Sequence, residues 1–161
     1  MLVRHGATSW SEAGRLCGWT DVALSPAGRA RASALAPRLG RRGFDGVWSS
    51  DLSRALETAR LAAGEPVADA RLREIDFGDL EGCRWDQLDA STREALLGFD
   101  GFRAPGGGSA GDLRARAASF VGNLPPGRHL VVTHGGVIRA LLRERGCERR
   151  VEPGGLAVVR A

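Results

Sequence analysis

A chain of 161 residues, 43% hydrophobic and 26% charged, has the size and balance of one ordinary globular domain spanning residues 1–161 with a real core. No apolar run approaches the roughly 20 residues that cross a bilayer, and Arg4 is followed by no signal-peptide core, so neither a membrane partner nor secretion is expected. The net charge of +4 raises the question of nucleic acid, but every basic residue is arginine and, apart from Arg41-Arg42 and Arg149-Arg150, they are scattered; a small anionic substrate suits that charge better.

Leu2-Val3 leads into Arg4-His5-Gly6 and reads as a buried strand ending in a reactive edge. Residues 7–24 carry Gly14, Gly18 and Asp21 without a sustained period and are expected to form a long loop, a feature that in compact domains is usually functional. Ser25-Pro26 supplies an N-cap and a first-turn proline. The helix that follows should present Ala27, Ala30, Ala34, Leu35 and Leu39 to the core, with Pro37 kinking or shortening it. Gly46-Val47-Trp48-Ser49 reads as a strand, with Asp51 or Ser53 capping a helix through about Ala63.

Beyond Glu65-Pro66-Val67, residues 68–75 are expected to be extended, with turns at Phe77-Gly78 and Glu81-Gly82. Ser91 and Glu94 suggest a capping box for a short helix to Leu97. A glycine-rich loop, Pro105 to Ser109, feeds a helix from Ala110 to about Leu124, capped by Ser109 and closed by Pro125-Pro126-Gly127. Leu130-Val131-Val132-Thr133, then His134-Gly135-Gly136 and a helix to about Arg145, form the last β-α unit, and Leu156 to Val159 a final strand. This alternation implies an α/β fold, a three-layer α/β/α sandwich with a mainly parallel sheet.

Several chemistries lack their motifs. There is no Gly-x-Ser-x-Gly elbow, no His-x-x-x-His or Cys-x-x-Cys for a metal, and no Gly-Lys-Ser/Thr loop in a chain without lysine. No metal or cofactor is therefore expected. Cys17, Cys83 and Cys147, odd in number and far apart, suit a reducing compartment, and the protein is read as cytoplasmic. Histidine, arginine and carboxylate chemistry remains. Two of the three histidines, His5 and His134, sit where a β-branched run meets glycine. Ligands of open α/β sheets bind beyond the carboxyl ends of the strands, so these two ends are expected to lie side by side around a phosphate. His129 falls in no motif and reads as structural or exposed.

Six blocks carry a resemblance. They are Arg4-His5-Gly6-Ala7-Thr8 with Trp10, Gly18-Trp19-Thr20-Asp21, Leu24-Ser25-Pro26-x-Gly28, Ser49-Ser50-Asp51-Leu52-x-Arg54-Ala55-x-x-Thr58-Ala59, Leu72-x-Glu74-x-x-Phe77-Gly78-x-x-Glu81-Gly82 and Thr133-His134-Gly135-Gly136-Val137-x-Arg139. In order and spacing they resemble the histidine phosphatase superfamily, with its phosphoglycerate mutase-like fold. The resemblance implies His5 as nucleophile, Arg4, Arg54 and His134 around the phosphoryl group, and Glu74 as general acid and base. The amino terminus of the helix after His134 should face the anion.

Asp76, Asp79 and Glu81 are neighbouring rivals to Glu74, and Arg71 or Arg73 could pair with Glu74 on a solvated face. Ser11, Cys17, Gly18 and Gly135, with Arg4 and Arg54, fall at substrate-contact positions. Ser11 replaces the family's usual asparagine, Gly108 the glutamate of Gly-Gly-Glu-Ser, and Gly155 falls where a Gly-Ser pair is common. Residues 72–82 look most like the alpha-ribazole phosphatase and broad-specificity phosphatase branch. The implied activity is hydrolysis of a small phosphorylated metabolite. Phosphoglycerate mutase activity and a catalytically silent phosphate-binding module are the alternatives, and a homodimer is left open. The short span between Gly82 and His134 leaves little room for a deep lid, which favours hydrolysis.

Overall fold

Strand β1 (Leu2–Arg4) runs parallel to β4 (His129–Thr133), with Leu2 opposite Val131 and Arg4 opposite Thr133, in a computed structural model that describes residues 1–40 and 43–159. The Arg41-Arg42 pair lies outside the described residues. All five residues of β4 are buried, as a central strand covered on both faces requires. On its other side β4 pairs in parallel with β2 (Gly46–Ser49), and β2 with β3 (Val67–Ala68). β5 (Leu156–Ala157) closes the opposite edge antiparallel to β1, giving the order β3-β2-β4-β1-β5.

Alternation along the strands builds two cores. Leu2 and Val131 face one cluster, where Leu113, Ala117 and Phe120 of α6 (Ala110–Gly122) meet Ile138, Leu141 and Leu142 of α7 (Gly135–Arg143). Val3, Leu130 and Val132 face the other, with Leu35, Leu39, and Ala55, Ala59 and Ala62 of α4 (Ser53–Ala63). The sheet is thus the middle of three layers. No helix among the described residues is long and apolar enough to cross a membrane.

Several local expectations are corrected. The 7–24 loop contains a helical turn, α1 (Ser9–Glu12), capped by Thr8 with Ser11 returning the bond. α2 (Pro26–Ser33) starts at Ser25-Pro26 as expected, but Ala27, Ala30 and Ala34 are exposed and Gly28, Ala32, Leu35 and Leu39 are buried. The leucines turn that face inward, and Gly28 must lie there because a Cβ on it would sit 2.1 Å from the Ala7 carbonyl oxygen. Pro37 does break the helix: α3 (Ala36–Leu39) is a separate turn.

Neither Asp51 nor Ser53 caps α4. Asp21 reaches across from the first loop, its Oδ1 accepting the Ser53 amide at 2.9 Å and hydroxyl at 2.8 Å, while Asp51 is bound to Arg73. Residues 68–75 are not one extended stretch; β3 gives way to a 3₁₀ turn, Ala70–Leu72, capped by Asp69. α5 (Ala90–Gly98) begins before Ser91, because Asp89 accepts the Thr92 amide at 2.8 Å and takes the cap. β5 covers only the first two residues of the expected final strand.

Candidate functional site

Because β1 and β4 are parallel neighbours, the histidines that follow them meet. The ring centroids of His5 and His134 lie 5.0 Å apart, edge to face. His5 Nδ1 is 2.7 Å from the Gly6 carbonyl oxygen. That oxygen can only accept, so Nδ1 carries the proton and the neutral ring keeps its lone pair on Nε2. Burial pushes the His5 pKa down to about 3, aided by Arg54 and Arg4 and opposed by the Gly6 carbonyl. Burial, His5 and the surrounding arginines lower His134 as well. Both rings are therefore neutral near pH 7.

Arg54, on the first turn of α4, is wholly buried. Its Nη1 donates to the Thr20 carbonyl at 3.0 Å and its Nη2 to the Gly18 carbonyl at 2.6 Å. Nη2 also stands 3.3 Å from His134 Nδ1. A guanidinium only donates, so His134 Nδ1 accepts and its proton sits on Nε2. Thr58, one turn further along α4, accepts the Gly6 amide at 3.0 Å and donates to the Arg54 carbonyl at 2.6 Å, tying the loop after β1 to the helix. Arg4 donates to the Val151 carbonyl at 2.9 Å and lies over Gly135, where a Cβ would be 3.3 Å from its Cζ. Burial lowers the Arg4 pKa, with Glu74 and Glu152 acting the other way.

Among the described residues, the buried side-chain nitrogens without a partner are Arg4 Nε, Arg54 Nε and His134 Nε2. Each carries a proton. Buried donors are nearly always satisfied, and leaving one unmet costs about 1–3 kcal/mol. All three belong to residues around His5, and N–H donors of this kind are what an oxyanion accepts from.

The Glu74 carboxylate is buried beside them, Oε1 accepting the Ile75 amide and Oε2 the Gly136 amide, both at 2.9 Å. Its backbone carbonyl accepts from Trp19 Nε1 at 2.9 Å and Arg116 Nη2 at 3.1 Å. A cleft of ≈ 330 Å³ opens at Arg4, His5, Glu74, Gly135 and Gly136, with Arg15, Arg139 and Arg150 and an apolar set that includes Leu16, Phe77, Trp85, Leu96 and Phe99 on its walls; Arg54 and His134 are not among its lining residues.

Residues 1–147 match the histidine phosphatase superfamily (branch 1). The chain belongs to this superfamily. It is 39% identical to phosphoglycerate mutase-like protein 4 of Arabidopsis thaliana over 94% of this chain and 73% of that one. It is 38% identical to glucosyl-3-phosphoglycerate phosphatase of Mycobacterium tuberculosis over 88% of this chain and 72% of that one. Against the metal-independent phosphoserine phosphatase of Arabidopsis thaliana the identity is 36%, over 88% and 66%. Among solved structures, a phosphoglycerate mutase from Thermus thermophilus superposes with a TM-score of 0.88 at 46% identity, covering 95% of this chain and 87% of that one. The superfamily and the phosphoglycerate mutase-like fold are thus established.

Within this histidine phosphatase fold, of the rival acids 74, 76, 79 and 81 only Glu74 lines the cleft. Arg71 and Arg73 do not pair with it; they bind Asp69 and Asp51. The first turn of α7 offers its Gly136 amide to Glu74, rather than leaving it for a ligand. Ser11 lines the cleft, but its hydroxyl is committed to the amide and carbonyl of Thr8. Cys17 lines it too, and Gly135 sits beneath Arg4. Gly18 does not line it; it is buried and accepts from Arg54 through its carbonyl. His129 is structural, held between the Pro125 carbonyl and Trp48. Sequence reasoning missed Gly136, Trp19 and Arg116 as supports of Glu74. For Gly136 the doubled glycine was the available signal, since a Cβ there would lie 2.1 Å from Glu74 Oε1.

Proposed function

We propose that this protein is a metal-independent phosphomonoesterase that hydrolyses a small phosphorylated metabolite through a phosphohistidine at His5. One observation carries the reading: a neutral imidazole whose Nε2 lone pair is free stands among three buried, unpartnered N–H groups. Nε2 attacks phosphorus and the ester P–O bond breaks. Glu74, entering the cycle as the neutral acid, delivers its proton to the departing alkoxide and is left as the carboxylate. Glu74 then takes a proton from water as that water attacks phosphorus, the P–N bond breaks, and phosphate leaves with His5 neutral again. Arg4, Arg54 and His134 meet the charge on the equatorial oxygens, a role suited to preorganised donors in a buried site.

The apolar wall of the cleft suits an alcohol with a flat or apolar face, and Arg15, Arg139 and Arg150 on the same lining suit one that also carries negative charge. α-Ribazole 5′-phosphate, which carries an aromatic base, belongs in the first substrate panel. Mutase activity is the second reading, carried by the similarity to the Thermus thermophilus phosphoglycerate mutase.

The test is phosphate release with chelator present, from p-nitrophenyl phosphate and a panel of phosphometabolites, by wild type and His5→Ala. Release that vanishes in the variant supports the proposal. If neither protein releases phosphate, isomerisation of 3-phosphoglycerate in the presence of its bisphosphate selects the mutase. Silence in both assays leaves a phosphate-binding module.

A further inference from the structure

One carboxylate outside the cleft holds together the parts that the proposed chemistry needs. Glu81 is half-buried, and its two oxygens accept four backbone amides: Gly18 at 3.1 Å, Trp19 at 2.8 Å, Thr20 at 3.4 Å and Phe77 at 3.2 Å. Three of these are consecutive, so the 18–20 loop is wrapped around an anion as a backbone nest. Gly18 permits the approach, because a Cβ there would lie 2.3 Å from Glu81 Oε1 and 2.2 Å from the Ile75 carbonyl oxygen.

The consequence follows from peptide planarity. The Gly18 carbonyl and the Trp19 amide belong to one rigid unit, with C=O and N–H on opposite edges. Glu81 holds the N–H edge at 2.8 Å, and Arg54 Nη2 the C=O edge at 2.6 Å. Fixing one edge aims the other. The Thr20 carbonyl, two residues along the same loop, holds Arg54 Nη1 at 3.0 Å. From the residue between them, the Trp19 indole donates to the Glu74 carbonyl at 2.9 Å. A single short loop, pinned by Glu81, therefore sets the guanidinium beside His134 and supports the chain at Glu74.

We propose that Glu81 is a positioning residue for phosphoryl transfer, acting through the 18–20 loop on Arg54 and Glu74. The proposal rests on the roles given to Arg54 and Glu74 above. A residue that only stabilised the fold would change the fraction of folded protein and leave the rate at each folded site alone. A residue that aims Arg54 changes that rate, and only while the arginine is there to be aimed.

The experiment is a double-mutant cycle on the rate of phosphohistidine formation per folded site, by rapid quench with p-nitrophenyl phosphate, in wild type, Glu81→Gln, Arg54→Lys and the double variant. Glu81→Gln is expected to slow the step by about 10²-fold, the scale of an ångström-level misplacement. In the Arg54→Lys background the same change should cost less than about 3-fold, because coupled residues are not additive. Glu81→Asp, which keeps the charge but is one methylene shorter, should fall between wild type and Glu81→Gln and serves if the latter does not fold. Equal losses in the two backgrounds, or an effect confined to the folded fraction, would overturn the proposal. A wild type that forms no phosphohistidine would overturn the functional reading instead. Calorimetric binding of inorganic phosphate by the same four proteins then decides the positioning: Glu81→Gln must weaken it with Arg54 present and not with Arg54→Lys.

Discussion

Glu74 and Gly136 are locked together: Oε2 accepts the glycine amide at 2.9 Å, and a Cβ on Gly136 would fall 2.1 Å from Oε1. The carboxyl group is thus held against the first turn of α7. Gly136→Ala should push Glu74 out of place and lower kcat by about 10²-fold. Its effect on stability should be small. Alanine in place of a helical glycine gains about 0.5–1 kcal/mol, and the weakened hydrogen bond to Glu74 loses a comparable amount. Steady-state kinetics beside urea unfolding check this. Full activity in the alanine variant would show that Glu74 does not need this contact.

The two buried histidines predict how stability depends on pH. His5 titrates near 3 in the folded protein and near 6.5 in an unfolded chain, and His134 is shifted the same way. Between these values the unfolded chain binds the proton and the native protein does not, so stability rises with pH. The stabilisation is complete above about pH 6.5 and is lost as pH falls toward 3, each histidine contributing a slope of up to about 1.4 kcal/mol per pH unit. Urea unfolding at pH 7.5, 6 and 5 should show this decline before most carboxylates titrate, and His5→Gln should flatten it. An unchanged slope in that variant would mean that His5 is charged in the fold.

The sheet and the two histidines were legible because their signals are local. Leu130 to Thr133 is an uninterrupted apolar run, and each of His5 and His134 stands where such a run meets glycine. The face of α2 was not legible, since alanines bury too little area to choose a side. Leu35, Leu39 and the close approach of Gly28 to Ala7 chose it. The Ser91 cap was misplaced because Asp89, extended at φ −67° and ψ 163°, accepts the Thr92 amide instead. The supports of the site were the least visible. Asp21 on Ser53, Glu81 on the 18–20 loop and Arg116 on the Glu74 carbonyl each span more than 30 residues of chain. No periodicity encodes such pairs.

Asp21 gives a prediction about stability alone. It caps α4 from another part of the chain, so Asp21→Ala strips the Ser53 amide and hydroxyl of their acceptor. Losing an N-cap acceptor costs about 1 kcal/mol, which for a domain of this size lowers Tm by about 2–4 °C. Thermal unfolding followed by circular dichroism would register it. An unchanged Tm would mean that solvent satisfies the Ser53 amide equally well.

The cleft wall makes a prediction about the leaving group. Trp85 is 38% exposed and lines the cleft with Phe77, Leu96 and Phe99. A flat alcohol lying on that wall gains apolar contact, whereas a glycerol or glycerate carries too little apolar surface to use it. Trp85→Ser should therefore raise KM for 1-naphthyl phosphate, lowering kcat/KM about 10-fold, with kcat nearly unchanged, as for loss of binding felt equally in ground and transition states. For glycerol phosphate the same variant should stay within about 2-fold of wild type, because methylene-scale contacts are worth little. The ratio of the two kcat/KM values, measured on one protein preparation, cancels errors in active-site concentration. A ratio that Trp85→Ser leaves unchanged would remove the wall from substrate selection and make the bound phosphoryl group the main source of affinity.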